Sequence, residues 1–220
     1  MMNKTPCTRL AILCLLSLLT YTGCSSSHKA DEPKEIHETK VSAGISVDTP
    51  EAQLFEEGKR LYQAQLYSLS RENFEALRTG YPVGPYAESA DLKIADSYYE
   101  SAEYGTAAQS YEDFVKNRPA SAAVPYALFR AGRSHHLARR GVGRDTAPLE
   151  SAVRIYSRLL DEHPGSIYSL AAAKYRVKAL KKLAAHEQEI IDFYKKTARD
   201  SASEARSSQY SQTWSKKLKE

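Results

Sequence analysis

One spacing recurs three times along this 220-residue chain, and it constrains the fold more than any other feature. Phe74, Tyr111 and Tyr156 stand eight residues before Pro82, Pro119 and Pro164, and four residues before each aromatic sits a small residue, Ser70, Ala107 or Ala152. Twelve residues before the first two of these lie Gly58 and Ala95. The third copy has Gly132, displaced by eight extra residues. A regular period of this length means units that cannot bury their apolar faces alone and must stack on their neighbours. Small residues let two helices of a hairpin approach closely, the aromatic fills the gap to the next hairpin, and proline stops the second helix.

This is the tetratricopeptide pattern of roughly 34-residue helix-turn-helix units. Apolar spacing places the first helix pair at about 50–64 and 67–80, the second at 86–102 and 104–117, and the third at 122–138 and 147–162. The connection Arg139–Thr146 is long for a repeat hairpin, and long connections tend to carry function. From Ile167 to Thr197 there is neither Gly nor Pro, which predicts one long helix, or two with a shallow break near His186. A last helix is expected over 199–217. No period-two pattern occurs, so the expected fold is all-α. It is a right-handed tetratricopeptide-repeat solenoid of about three and a half to four units, with a concave face and repeats at about 50–85, 86–120, 121–165 and 166–217.

Ahead of this domain, assigned to residues 49–217, the chain reads as an exported and tethered protein. Lys4 and Arg9 precede the apolar stretch Leu10–Tyr21, and Thr22-Gly23-Cys24 follows. That is a charged start, a short apolar run and a small-residue exit, too short to span a bilayer. Its Gly-Cys end is similar to a bacterial lipoprotein signal, so residues 1–23 are expected to be removed and Cys24 to carry the acyl chains; Tyr21 stands where that pattern usually has Leu. Loss of Cys7 and Cys14 with the signal leaves Cys24 alone, without a disulfide partner. Ser25 in place of Asp after the Cys implies sorting to the outer membrane in a Gram-negative cell. Residues 24–48 are polar and aperiodic, a flexible tether. Thr49-Pro50-Glu51 then supplies an N-cap, a proline for the first turn and an acid beside the helix N-terminus.

Composition narrows the function. A net charge of +4, from 31 basic and 27 acidic residues, gives no electrostatic case for nucleic-acid binding. Residues for catalysis are missing from their required spacings. His135 and His136 are adjacent and diverge on a helix. His186-Glu187-Gln188-Glu189 lacks a second His at metalloprotease spacing, and His28 and His37 fall in the tether. Gly141-Val142-Gly143 has no preceding strand, there is no Gly-x-Ser-x-Gly elbow, and no Cys remains as a nucleophile. A non-enzymatic protein with no cofactor and no bound metal is expected. Fifteen tyrosines against five phenylalanines point to half-buried helix contacts or an amphipathic groove.

Several blocks are similar to one family. Thr49-Pro50-Glu51, Tyr81-Pro82-Val83-Gly84-Pro85-Tyr86-Ala87-Glu88, Ala95-Asp96-Ser97-Tyr98-Tyr99, Arg144-Asp145-Thr146 and Leu183-Ala184-Ala185-His186-Glu187 resemble, in order and spacing, blocks of the BamD family of outer membrane assembly lipoproteins. The resemblance covers about residues 24 to 206. It implies a lipid-anchored, periplasm-facing subunit of the β-barrel assembly machine. Its partners would be the periplasmic domains of the barrel-forming subunit BamA, other lipoproteins of the machine and unfolded outer-membrane proteins. An Arg in the second helix of the family's fourth repeat faces BamA, and Arg206 stands at that position; Arg144 and Asp145 are further candidates for this contact. Tyr62, Tyr98 and Tyr99 are the candidate contacts for client segments in the groove of the first three repeats. Family members usually continue to a further Tyr-Pro and a fifth repeat, whereas this sequence ends at Glu220. The alternative is another tetratricopeptide lipoprotein, such as a secretin pilot or a cell-wall-associated adaptor.

Overall fold

A computed structural model describes residues 48–138, 145–197 and 199–217, and all of its regular elements are helices. They are α1 (Pro50–Gln63), α2 (Tyr67–Gly80), α3 (Ala87–Glu100), α4 (Tyr104–Asn117), α5 (Val124–Leu137), α6 (Ala147–Glu162), α7 (Ser169–Lys196) and α8 (Asp200–Lys217). Each packs against the next, and α5 also touches α7, as expected of stacked helical hairpins in a tetratricopeptide-like solenoid. Of the two forms the sequence allowed for 167–197, the single helix is the one observed, with 28 residues. The signal segment, Cys24, the tether and the loop residues 139–144, Arg144 among them, lie outside the described residues.

The repeated residues make the repeated joints. Gly58, Ala95 and Gly132 are each the ninth residue of the first helix of a hairpin. A Cβ on Gly58 would stand 2.8 Å from the Phe74 ring, and one on Gly132 would stand 2.5 Å from Tyr156. In the first hairpin Ser70 also donates its hydroxyl to the Gly58 carbonyl at 2.8 Å. The eight extra residues of the third unit are absorbed where the hairpin closes: a longer connection from 138 to 146 and two more residues at the start of α6.

Two kinds of turn alternate along the stack. Between units, Gly84, Ser121 and Ser166 donate their amides to the carbonyls of Tyr81, Arg118 and His163, each closing a four-residue turn with proline in second place. Within the first two hairpins the helices end on αL residues, Gln65 and Ala102, both at φ 61°. Gln65 N–H bonds Tyr62 O and Leu66 N–H bonds Leu61 O; Ala102 N–H bonds Tyr99 O and Glu103 N–H bonds Tyr98 O. These are Schellman closures, and they end α3 two residues earlier than periodicity alone predicts. At the other end Thr49 accepts Ala52 N–H at 3.2 Å, while Glu51 reaches across to the amide of Tyr86 at 3.2 Å and fills the space beside Gly84. The acid of the first turn thereby fastens α1 to the entry of the second unit.

The core is largely apolar, with charge buried at Arg133, over the Tyr175 ring at 3.9 Å, and in one larger network. Between the second and third units, Asp96 is wholly buried and accepts hydroxyl bonds from Tyr111 and Tyr126 and the Lys93 ammonium at 3.1 Å. Arg130, also buried, donates to the Tyr111 hydroxyl at 3.2 Å and to Glu100 at 3.2 Å. Charges at this depth persist only when paired and hydrogen-bonded, and here each is. The network spans α3, α4 and α5 and fixes how the third unit sits on the second.

Candidate functional site

Two surfaces collect the residues singled out by sequence. The first lies on the leading helices of the first three units. Tyr62, on α1, is half-buried; its ring meets Tyr67 edge-on at 5.3 Å and carries the Lys93 ammonium at 4.9 Å. Tyr99 repeats this arrangement 37 residues later, with Tyr104 edge-on at 5.5 Å and the Arg130 guanidinium stacked at 3.6 Å. Lys93 and Arg130 are themselves 37 residues apart. Each tyrosine of one unit is thus covered by a cation from the next, a repeat of aromatic and cation along the stack. Tyr98, half-buried, has Arg71 of α2 over its ring at 4.2 Å, and Arg71 is paired with Glu103 at 3.3 Å.

These tyrosines are not equivalent as contacts. Tyr99 retains 7% exposure and belongs to the core cluster joining the second and third units, so its ring is committed to packing. Tyr62 and Tyr98 keep accessible surface, and Leu66 and Leu69, at the start of α2, are about half exposed. The sequence marked the tyrosines but not the cations that cover them. The 37-residue separation of Lys93 and Arg130 was the available signal, hidden because Lys and Arg are different letters with the same charge.

The second surface lies where α6, α7 and α8 meet. A recess of about 560 Å³ has Val153, Leu180, Leu183, Ile190 and Trp214 as its apolar lining, with His186 and Glu187 on its wall and Thr146 at one end. A smaller hollow of about 380 Å³ adjoins it, sharing Glu187 and Trp214 and lined by Arg206. Arg206 donates to Glu187 Oε1 at 2.7 Å, and its guanidinium lies 5.5 Å from the Tyr194 ring. Asp145 accepts the Ala147 amide at 3.0 Å and Thr146 donates to the Glu150 side chain at 2.8 Å, both at the start of α6 where the long connection enters. The structure therefore places Thr146, at the end of the loop, and the His186-Glu187 block around one hollow and Arg206 in the hollow that adjoins it, although 60 residues separate Thr146 from Arg206. Trp214, on α8, lines both hollows, a role that no motif in the sequence marks.

The remaining histidines are used individually. His135 bonds Glu112 and holds that carboxyl below its usual pKa, with the hydrogen bond the largest cause and partial burial opposing it. His136 faces the other way, with Lys182 at 2.9 Å. Tyr111 is driven well above the usual phenol range, first by burial and then by the Asp96 carboxylate, with the Arg130 charge opposing. Among the described residues no cluster of His, Cys, Asp and Glu is arranged to hold a metal ion, and no helix is long and apolar enough to cross a membrane.

Against known proteins, residues 47–218 match the model of the YfiO family, described as outer membrane lipoprotein. Curated relatives carry the name outer membrane protein assembly factor BamD. The one from Vibrio cholerae is 27% identical over 191 residues, covering 82% of this chain and 73% of its own length. That from Xylella fastidiosa (strain Temecula1) is 26% identical over 200 residues, covering 86% and 64%, and that from Pasteurella multocida is 24% identical over 161 residues, covering 67% and 60%. The chain thus spans somewhat less than two thirds of the length of the latter two relatives.

Proposed function

The chain belongs to the YfiO family of outer membrane lipoproteins, and from that premise we propose that it is a non-catalytic factor for assembly of outer-membrane β-barrel proteins. It is held to the membrane by acyl chains on Cys24 and faces the periplasm. The observation that carries this reading is the pair of adjoining hollows between α6, α7 and α8, because together they gather Thr146 of the Arg144-Asp145 block, the His186-Glu187 block and Arg206 on one side of the molecule. We assign these hollows to the periplasmic domains of BamA. Arg206 has five donors, and only part of its fork is occupied by Glu187, so an incoming carboxylate can bind it bidentately.

Client segments fall to the other surface. Tyr62 and Tyr98 offer rigid apolar area with polar tips, flanked by Lys93 and Arg71, which suits extended polypeptide whose side chains alternate between apolar and polar.

Affinity purification of the full chain from native envelope membranes tests the reading. BamA is expected to co-purify with the parent chain and to be lost with Arg206→Glu, while Tyr62→Ala and Tyr98→Ala keep BamA and lower client crosslinking. Absence of BamA from the parent purification contradicts the assignment.

A further inference from the structure

Charge is distributed unevenly along the solenoid. Residues 48–120 carry 13 acidic against 7 basic side chains, whereas residues 163–217 carry 5 acidic against 11 basic. The first half of α7 concentrates this excess on one side. Leu170, Lys174, Lys178 and Lys181 are all exposed, and at 100° per residue they fall within an arc of about 80°. Leu170 is 85% exposed, and Ile167, in the turn leading into the helix, is 56% exposed. The opposite side of α7 is buried through Ala172, Tyr175, Ala179 and Leu183, against α6 and α8. The acids that flank this stretch in sequence are Glu162, held by Arg158 at 2.9 Å, and Glu187, held by Arg206 at 2.7 Å.

Two large aliphatic side chains at the tip, followed by lysines along the same face, have the chemistry of a water–bilayer boundary. Apolar groups gain by leaving water for the acyl region. Ammonium groups on long stems reach phosphates while their methylenes stay at the interface. We propose that this face of α7, led by Ile167 and Leu170 and flanked by Lys174, Lys178 and Lys181, rests on a bilayer surface carrying anionic phospholipid headgroups. The family's membrane location keeps such a surface within reach, and the sign of the charge selects it over an acid-rich or a neutral face. The contact would set the tilt of the solenoid against the membrane, leaving the acidic first half directed away from the headgroups.

Fluorescence quenching by bromine atoms carried on lipid acyl chains reads this directly. The full chain contains one tryptophan, Trp214, in the α6–α8 recess and away from this face. In vesicles of phosphatidylethanolamine and phosphatidylglycerol, the variant Leu170→Trp is expected to add a quenched emission that the parent lacks. Combining it with Lys174→Glu, Lys178→Glu and Lys181→Glu is expected to weaken the contact by at least on the order of a hundredfold, about fivefold for each positive charge lost before repulsion from the new carboxylates adds to it, and to abolish the added quenching. Phosphatidylcholine vesicles are expected to give none. All four positions are exposed, Lys178 also lying over the Tyr175 ring at 4.8 Å, so thermal unfolding should remain cooperative and serves as the control for folding. Absence of quenching at position 170, or quenching that survives the triple charge reversal or equals that on phosphatidylcholine, overturns the proposal.

Discussion

At the scale of single residues, the joints of the repeat make sharp demands. Gly132 has no room for a methyl group because the Tyr156 ring occupies the space. Gly132→Ala is therefore expected to lower unfolding free energy by about 1–3 kcal/mol despite the better helix propensity of Ala, as read by urea denaturation. Ala102 presents the opposite case. It closes a Schellman motif at φ 61°, a conformation that penalises a Cβ, so Ala102→Gly is expected to stabilise by about 1 kcal/mol. Asp96→Ala leaves Lys93 and two tyrosine hydroxyls facing a buried void, with an expected loss of about 3–5 kcal/mol. Gly58, Ser70, Phe74 and their counterparts were legible in the sequence because steric demand selects small and aromatic residues. Asp96 was not: Ala-Asp-Ser-Tyr-Tyr gives no sign that its acid points inward, since a single charge among helical residues normally faces water.

At the scale of elements, the helix ends separate what is locally encoded from what is not. The starts of α2, α4 and α6 follow from where apolar periodicity resumes, and proline marks each exit. The αL closures at Gln65 and Ala102 carry neither Gly nor Asn, so composition could not announce them. Continuity of α7 through His186 depends on α6 and α8 packing along its length, a tertiary effect. The network joining α3, α4 and α5 also has a pH signature. Because the fold raises the Tyr111 pKa, the neutral phenol is favoured in the native state; its contribution is complete below about pH 10 and is lost as pH rises beyond. Urea unfolding across alkaline pH should show stability falling more steeply in the parent than in Tyr111→Phe. Equal slopes would assign the alkaline loss to other groups.

At the scale of the whole molecule, stacking turns residues far apart in sequence into surfaces. Arg206 and Asp145 were candidates only through resemblance to a family; no spacing rule links them, and it is the packing of α8 against α7 that brings Arg206 into a hollow adjoining the one lined by Thr146, the neighbour of Asp145. Tyr62 and Tyr99 looked alike in sequence, yet Arg130 seals Tyr99 into the core while Tyr62 keeps an open edge, because Arg130 also anchors Glu100 and Tyr111. The molecule we propose is a scaffold with two faces for other polypeptides. The most direct test of that claim is the abundance of outer-membrane β-barrel proteins after depletion of the chain in its own cell. A broad fall in porins, reversed by the parent chain and not by Arg206→Glu, is the predicted result; unchanged porins with loss of a single secretion or pilus system would contradict it.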